Sequence, residues 1–188
     1  MNIIFESERL IFREWEAEDI TPFTEINQDP KVMEYFPSLG DRDKSAYLIG
    51  RWCQHYDDHG FMMYPLILKE TGDFIGFTGI QRVPFKASFT PAIEIGWRIA
   101  SKYWGKAYAP EAAKKVIEVA FNQFNIDEIV AFTTKNNMKS RRVMEKIGMQ
   151  HDASSDFLHP SLNESHPLAP HVLYRLKKEK LIKDIIDE

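Results

Sequence analysis

The residues best placed to do chemistry lie in three short stretches. The first is Trp104-Gly105-Lys106-Ala107-Tyr108-Ala109-Pro110, between a clear strand pattern and the strongest helix pattern of the chain. A helix N-terminus offers unpaired N–H donors and the positive end of a dipole, which suits an anion. Small residues at Gly105, Ala107 and Ala109 let a phosphate approach the backbone. The stretch lacks the Gly-Lys-Ser/Thr of a Walker loop and has a single glycine, so it is not a dinucleotide fingerprint either. On its own it reads equally well as a small-residue loop that packs a helix tightly on a sheet. The second stretch is Glu94-Ile95-Gly96-Trp97-Arg98-Ile99, where a glycine interrupts a strand of large residues. Such a glycine marks a bulge or the close approach of a ligand or another backbone. Glu94 and Arg98 share its face, and Glu94 is either a base or a solvated or Arg-paired carboxylate. The third runs from Asn137 to Met149. Asn137 can cap a helix, Ser140 lies one turn in, and for Arg141 the preferred reading is a charged, solvated helix face.

Elements to carry these stretches follow from periodicity. Arg9–Glu14 alternates as a first strand, and Ile20, Phe23 and Ile26 recur as in a helix that Asp29-Pro30 ends. A second helix is expected from Asp41 to His59, stopped by Gly60. Phe61–Lys69 and Phe74–Arg82 read as a hairpin about Glu70-Thr71-Gly72-Asp73. Ile93–Ile99 is the clearest strand. Ala109, Ala112, Ala113, Val116, Ile117, Ala120, Phe121 and Phe124 form a helical stripe, with Pro110 in the first turn where its missing N–H costs nothing. A strand at Glu128–Thr134, a helix at Asn137–Ile147 closed by Gly148, a strand near Gln150–Asp152, a polar loop and a strand at His171–Leu176 complete the body. The expectation is an α+β (mixed α/β) fold. A mostly antiparallel mixed sheet of about seven strands is flanked by helices, with one parallel crossover around the Ala109–Phe124 helix. Lys177–Glu188 is expected as a terminal helix or tail, amphipathic enough to pack on the body or on a second copy in a homodimer.

Bulk composition narrows the function classes. The 188 residues are 44% hydrophobic and 28% charged, which fits one globular domain over residues 1–188. A formal net charge of -4 argues against a nucleic-acid binder. Cys53 is the single cysteine, so neither an internal disulfide nor a thiolate metal cluster can form, and a cytoplasmic compartment is expected. No stretch approaches the ~18 apolar residues of a membrane span, and no signal-peptide core follows Met1. His159, His166 and His171 lie among prolines without helical HxxxH spacing, so no metal is expected. They serve better to order their loop and wall a substrate site, and Tyr35 and Phe36, between the first two helices, either line that site or simply pack.

Taken together and in this order, the stretches resemble the GNAT acetyltransferases. Trp104–Ala109 is similar to their pyrophosphate loop, Gln/Arg-x-x-Gly-x-Gly/Ala. Asn137-x-x-Ser140 with Lys146-Ile147-Gly148-Met149 is similar to their Asn-x-x-Ser…Lys-Leu-Gly-Phe segment. Glu8-Arg9-Leu10-Ile11-Phe12-Arg13 and Glu94-Ile95-Gly96-Trp97 resemble the branch that acetylates ribosomal-protein N-termini. The resemblance spans about residues 8–176, with two departures: Trp104 replaces Gln/Arg, and Ala107 replaces a glycine and needs an ordinary φ to keep the loop. It implies acetyl-CoA as cosubstrate and a primary amine as acceptor, either a protein N-terminus or a small molecule. It further implies cofactor contacts at Trp97, Arg98, Ile99, Trp104, Gly105, Lys106, Ala107, Tyr108, Ala109 and Asn137, with Glu94 as base and Ser140 as proton donor to the thiolate. The alternative is a non-catalytic acetyl-CoA sensor or scaffold that keeps the fold.

Overall fold

The structure is a computed structural model that describes residues 2–179. Its elements are β1 (Ile3–Glu6), β2 (Leu10–Arg13), α1 (Ile20–Gln28), α2 (Arg42–His59), β3 (Met63–Leu68), β4 (Phe74–Arg82), β5 (Ile93–Ile99), α3 (Tyr108–Gln123), β6 (Glu128–Thr134), α4 (Met138–Lys146), β7 (Gln150–His151), β8 (Phe157–Leu158) and β9 (Pro170–Lys177). The chain divides into two compact units, residues 1–81 with 96–115, and residues 82–95 with 116–188. Strand β5 and helix α3 each contribute to both.

In the first unit β1, β2, β3 and β4 follow one another in antiparallel pairing. The Gly96–Ile99 half of β5 is tied to β4, where Thr78 Oγ1 donates to Gly96 O at 2.8 Å and Ala100 N donates to Ile75 O at 2.9 Å. The core is aromatic. Trp52 lies 5.6 Å from Trp15, 5.7 Å from Phe23 and 4.7 Å from Phe77, between ring centres. Helix α1 reaches this core because Phe23 and Ile26 fall on one face, and both are buried. Asp41 caps α2 by accepting from Lys44 N, and Gly60 ends it at φ 80°. Buried Arg13 and Asp19 meet in a two-pronged ion pair of 2.7 and 2.6 Å, the geometry a buried pair needs to offset its desolvation.

In the second unit β6, β9 and β7 are antiparallel neighbours, and β8 pairs with β9. The start of β5 pairs parallel with β6, Glu94 standing opposite Val130. This is the expected crossover. Helix α4 is capped by Asn137 and followed by Gly148 at φ 86°, also as expected.

The strands number nine among the described residues, not about seven. The two additions have little pattern of their own. Strand β1 is a continuous Ile3-Ile4-Phe5 run at the margin of its unit, and β8 is two residues placed by its partners His171 and Pro170. The terminal helix expected over 177–188 lies almost wholly outside the described residues, since β9 runs to Lys177.

Gly76 has φ 142°, and a Cβ there would stand 2.0 Å from the carbonyl oxygen of Arg98. Gly96 has an ordinary φ, and a Cβ there would meet only the methyl end of Met63, at 3.1 Å. Gly76→Ala should therefore destabilise by about 2 kcal/mol or more, and Gly96→Ala by under about 1 kcal/mol. Denaturant unfolding of the two variants checks the contrast.

Candidate functional site

The first unit holds the loop that opens α3. Gly105 and Ala107 lie in left-handed backbone at φ 78° and 61°. The ordinary φ expected at Ala107 is thus corrected: an alanine occupies a conformation that favours glycine, because the loop must turn before Ala107 O can accept from Glu111 N as the first helical bond. The N–H groups of Gly105, Lys106 and Ala107 find no protein acceptor among the described residues. Three successive free donors at a helix N-terminus are an arrangement that suits an anion, a candidate cradle.

Residues far away in sequence brace this cradle. Glu111, in the first turn of α3, accepts from Ser7 Oγ at 2.7 Å, Arg9 N at 2.9 Å and Arg9 Nε at 2.6 Å. Arg9 also donates from Nη1 to Lys106 O at 3.1 Å and covers the buried ring of Tyr108 at 4.5 Å. Burial works against the Glu111 charge, yet the bonds from Ser7 and Arg9 prevail and hold its pKa below the ordinary value. Trp104 replaces the usual Gln/Arg without a loss of order, since its Nε1 donates to Ile99 O at 2.8 Å and ties the loop to the end of β5.

Along the Gly96–Ile99 half of β5, Trp97 is half-buried and Ile99 is buried. Gly96 is approached by the Met63 side chain rather than by another backbone. Arg98 points its guanidinium under the ring of Phe36, at 4.3 Å, and near Phe77, at 5.5 Å, and donates from Nη1 to Asn27 Oδ1. Tyr35, beside Phe36, is half-buried, and desolvation with a hydrogen bond to Glu34 raises its pKa.

The second unit carries the remaining expected residues. Glu94 is half-buried opposite Val130. Asn137 accepts from Ser140 N at 3.1 Å as the cap and donates to Thr133 Oγ1 at 3.0 Å, which ties the start of α4 to β6. The hydroxyl of Ser140 has no protein partner among the described residues. Arg141 is not a simple solvated charge: it donates to Tyr174 Oη and Lys135 O.

Beside them lies an aromatic cluster that periodicity does not reveal. Phe85, Phe132 and Phe157 are half-buried around buried Phe89, and His159 and His171 join them with ring centres 4.9 Å apart. His171 Nδ1 faces Ala169 O at 2.9 Å, while His159 Nδ1 accepts from Ser161 N, so the two imidazoles hold opposite tautomers. Desolvation lowers both pKa values, and at His159 the neighbouring His171 adds to it. No group of three or more His, Cys, Asp or Glu residues is arranged for a metal among the described residues. No described helix is long and apolar enough to cross a membrane. A shallow recess lined by Asp152 and Arg175 also belongs to this unit, but its charges neutralise one another, Arg175 bridging Asp152 and Glu128 at 2.7 Å each.

Sequence reasoning missed Arg9 as a brace, Glu111, Asn27 and the phenylalanine cluster. Only the Glu8–Arg13 resemblance pointed toward Arg9.

Comparison with known proteins agrees with this arrangement. A family model described as an acetyltransferase (GNAT) domain matches residues 9–150. The uncharacterized N-acetyltransferase YnaD of Bacillus subtilis (strain 168) is 31% identical over 160 residues, covering 84% of this chain and 89% of that protein. The crystal structure of a GNAT-family acetyltransferase from Bacillus anthracis superposes with a TM-score of 0.76 at 26% identity, over 95% of this chain and 99% of that one. Mycobacterium smegmatis RimJ, solved with CoA-disulfide, shares the fold with a TM-score of 0.71 at 19% identity, over 92% of this chain and 83% of that one.

Two outcomes are expected. Ala107→Gly should raise stability by about 1 kcal/mol, near 2–4 °C in Tm, by relieving left-handed strain. A fall in Tm by thermal unfolding would contradict that reading. The histidine pair should make stability fall with acid. Its folded pKa values lie below the unfolded value of 6.5, so its contribution is complete above that pH and is lost as pH falls through the folded values. The drop in Tm between pH 7.5 and 5.5 should shrink in the His159→Phe/His171→Phe double variant.

Proposed function

The chain belongs to the acetyltransferase (GNAT) family and is an acetyl-CoA-dependent N-acetyltransferase, and from that premise we propose that it transfers the acetyl group straight to a primary amine inside a ternary complex. The observation that carries this reading is the run of three unpaired N–H groups, Gly105 to Ala107, at the start of α3. A pyrophosphate is the anion that a bent, braced loop of this kind suits. Trp97, Arg98 and Ile99 contribute backbone along the pantetheine arm, although the Ile99 carbonyl is shared with Trp104. Exposed Trp104 and Lys106 line the phosphate end, with Tyr108 and Ala109 beneath it.

In the reaction the amine nitrogen bonds to the thioester carbon, the C–S bond breaks, the nitrogen gives up its second proton to solvent, and the sulfur leaves as a thiolate that takes up a proton through a hydroxyl that solvent then reprotonates. Negative charge gathers on the thioester oxygen in between. Backbone N–H donors near Gly96 would receive it, in a peptide plane that the Thr78 hydroxyl holds through Gly96 O. Glu94 takes the ammonium proton before attack. That work is light for an α-amine of pKa ~7.7–8.0 and heavier for a lysine at ~10.4. Ser140, with its hydroxyl uncommitted, protonates the thiolate. Its role is late and modest, since a thiolate with a conjugate-acid pKa near ~8.5 leaves tolerably unaided. Asn137 orients Ser140 through the cap, accepting from its N–H. Tyr35 and Phe36 wall the acceptor.

Steady-state release of CoA across a panel of amines tests the reading. Glu94→Gln should depress turnover most at low pH and least where the amine is already deprotonated. Ser140→Ala should lower kcat by roughly ten- to a hundredfold with little change in the KM for acetyl-CoA. Absence of any thermal shift with millimolar acetyl-CoA would refute the cradle, and CoA binding without acetylation of any amine would refute the transfer.

A further inference from the structure

Arg98 is a cation without an anion. Its Nε is buried with no hydrogen-bond partner, its Nη1 meets a neutral amide oxygen on Asn27, and no carboxylate answers it among the described residues. Removal from water is the cause of its depressed pKa, about 10, and that value still leaves it charged at neutral pH. Buried charges are ordinarily paired, because an isolated one in a low-dielectric setting is expensive. The surroundings are built to hold the group in place. Phe36 stacks on its face, Phe77 lies on another side, and Asn27 is itself fixed by donating to Ser45 Oγ at 2.9 Å. The residue as a whole is only half-buried, while its Nε is shielded from solvent and has no acceptor. Phe36, 41% exposed, belongs to the connection between α1 and α2, which is pinned to Asn27 by the bond from Gly40 N to Asn27 O at 2.9 Å.

We propose that Arg98 is a specificity residue that binds a carboxylate on the acceptor amine, so that the preferred substrates are amino acids rather than plain amines. The inference rests on the acetyl-transfer reading above, which sets the reacting carbon beside Gly96. Gly96 and Arg98 are consecutive residues on one face of β5, about 7 Å apart at the usual rise per residue. An acceptor of that span places its nitrogen near Gly96 and its acid on the guanidinium. The planar fork suits a carboxylate, and the Phe36 ring stacked on it fixes the plane in which the fork is offered.

The test uses the full chain and matched acceptors: ω-amino acids with two to six methylenes, and their amides. The acids should show kcat/KM at least tenfold above the amides, mainly through KM, and Arg98→Met should erase that ratio tenfold or more. Arg98→Lys should restore part of it. Calorimetric binding of the N-acetylated acid against its amide reads the same preference without turnover. If the amides are acetylated as well as the acids, or if Arg98→Met leaves the ratio unchanged while lowering Tm, Arg98 is a packing residue and the proposal falls. If nothing is acetylated, the transfer reading fails, and the calorimetric preference decides the Arg98 assignment separately.

Discussion

The contact on which the first unit's chemistry depends is that of Arg9 with Glu111, reaching across 102 positions of sequence. Its energy is not the point. The Arg9 side chain is 41% exposed, and an ion pair that wet contributes about 1 kcal/mol or less. What matters is position. One carboxylate receives a hydroxyl, a backbone N–H and a guanidinium, and the same guanidinium reaches on to Lys106 O. The turn after β1 and the first turn of α3 thus share one node. With the Lys106 carbonyl held by Arg9, the N–H groups of the loop stay without a protein acceptor among the described residues. A strained alanine can be kept in left-handed backbone only where neighbours define the path so completely.

A different logic governs Arg98 and Asn27. There a neutral amide, not a carboxylate, meets the guanidinium, and the hydrogen bonds run on from Asn27 to Ser45 and from Ser45 to the backbone of Asp41. The polar path ends at the cap of α2. The connection that holds Tyr35 and Phe36 is therefore bracketed by polar contacts at both ends, since Ser101 Oγ also donates to Asp29 at its start.

Most of the fold was legible because its signals are local. Asp41 with Gly60, and Asn137 with Gly148, mark the helices they bound, and alternation marks β5 from Ile93 to Ile99. What escaped was set by distance or by context. Two-residue β8 exists only because β9 offers it a partner. The phenylalanines at 85, 89, 132 and 157 come from three separate segments and form one cluster only when folded. Ala107 misled for a different reason: side-chain identity argued for ordinary backbone, and a long-range brace overrode it. At the site, the spacing points to a loop of free N–H groups before α3 and to a hydroxyl at Ser140, and among the described residues neither has a protein partner. Asn137 spends its amide oxygen on the α4 cap and its amide nitrogen on Thr133 of β6, and the guanidinium of Arg98 turns to two rings and an amide.

The tryptophans give the protein optical reporters at distinct places. Trp15 and Trp52 stack at 5.6 Å, with planes 25° apart, inside the core of the first unit. Two indoles held so close couple their transitions, so near-ultraviolet circular dichroism follows the packing of that core and not merely its helix content. Trp104, 37% exposed and tethered through its indole nitrogen, sits at the mouth of the α3 loop. Its emission reports the polarity at that mouth. A ligand that settled on the loop would change the colour of Trp104 while leaving the Trp15–Trp52 signal untouched, which separates occupancy from unfolding in a single unlabelled sample.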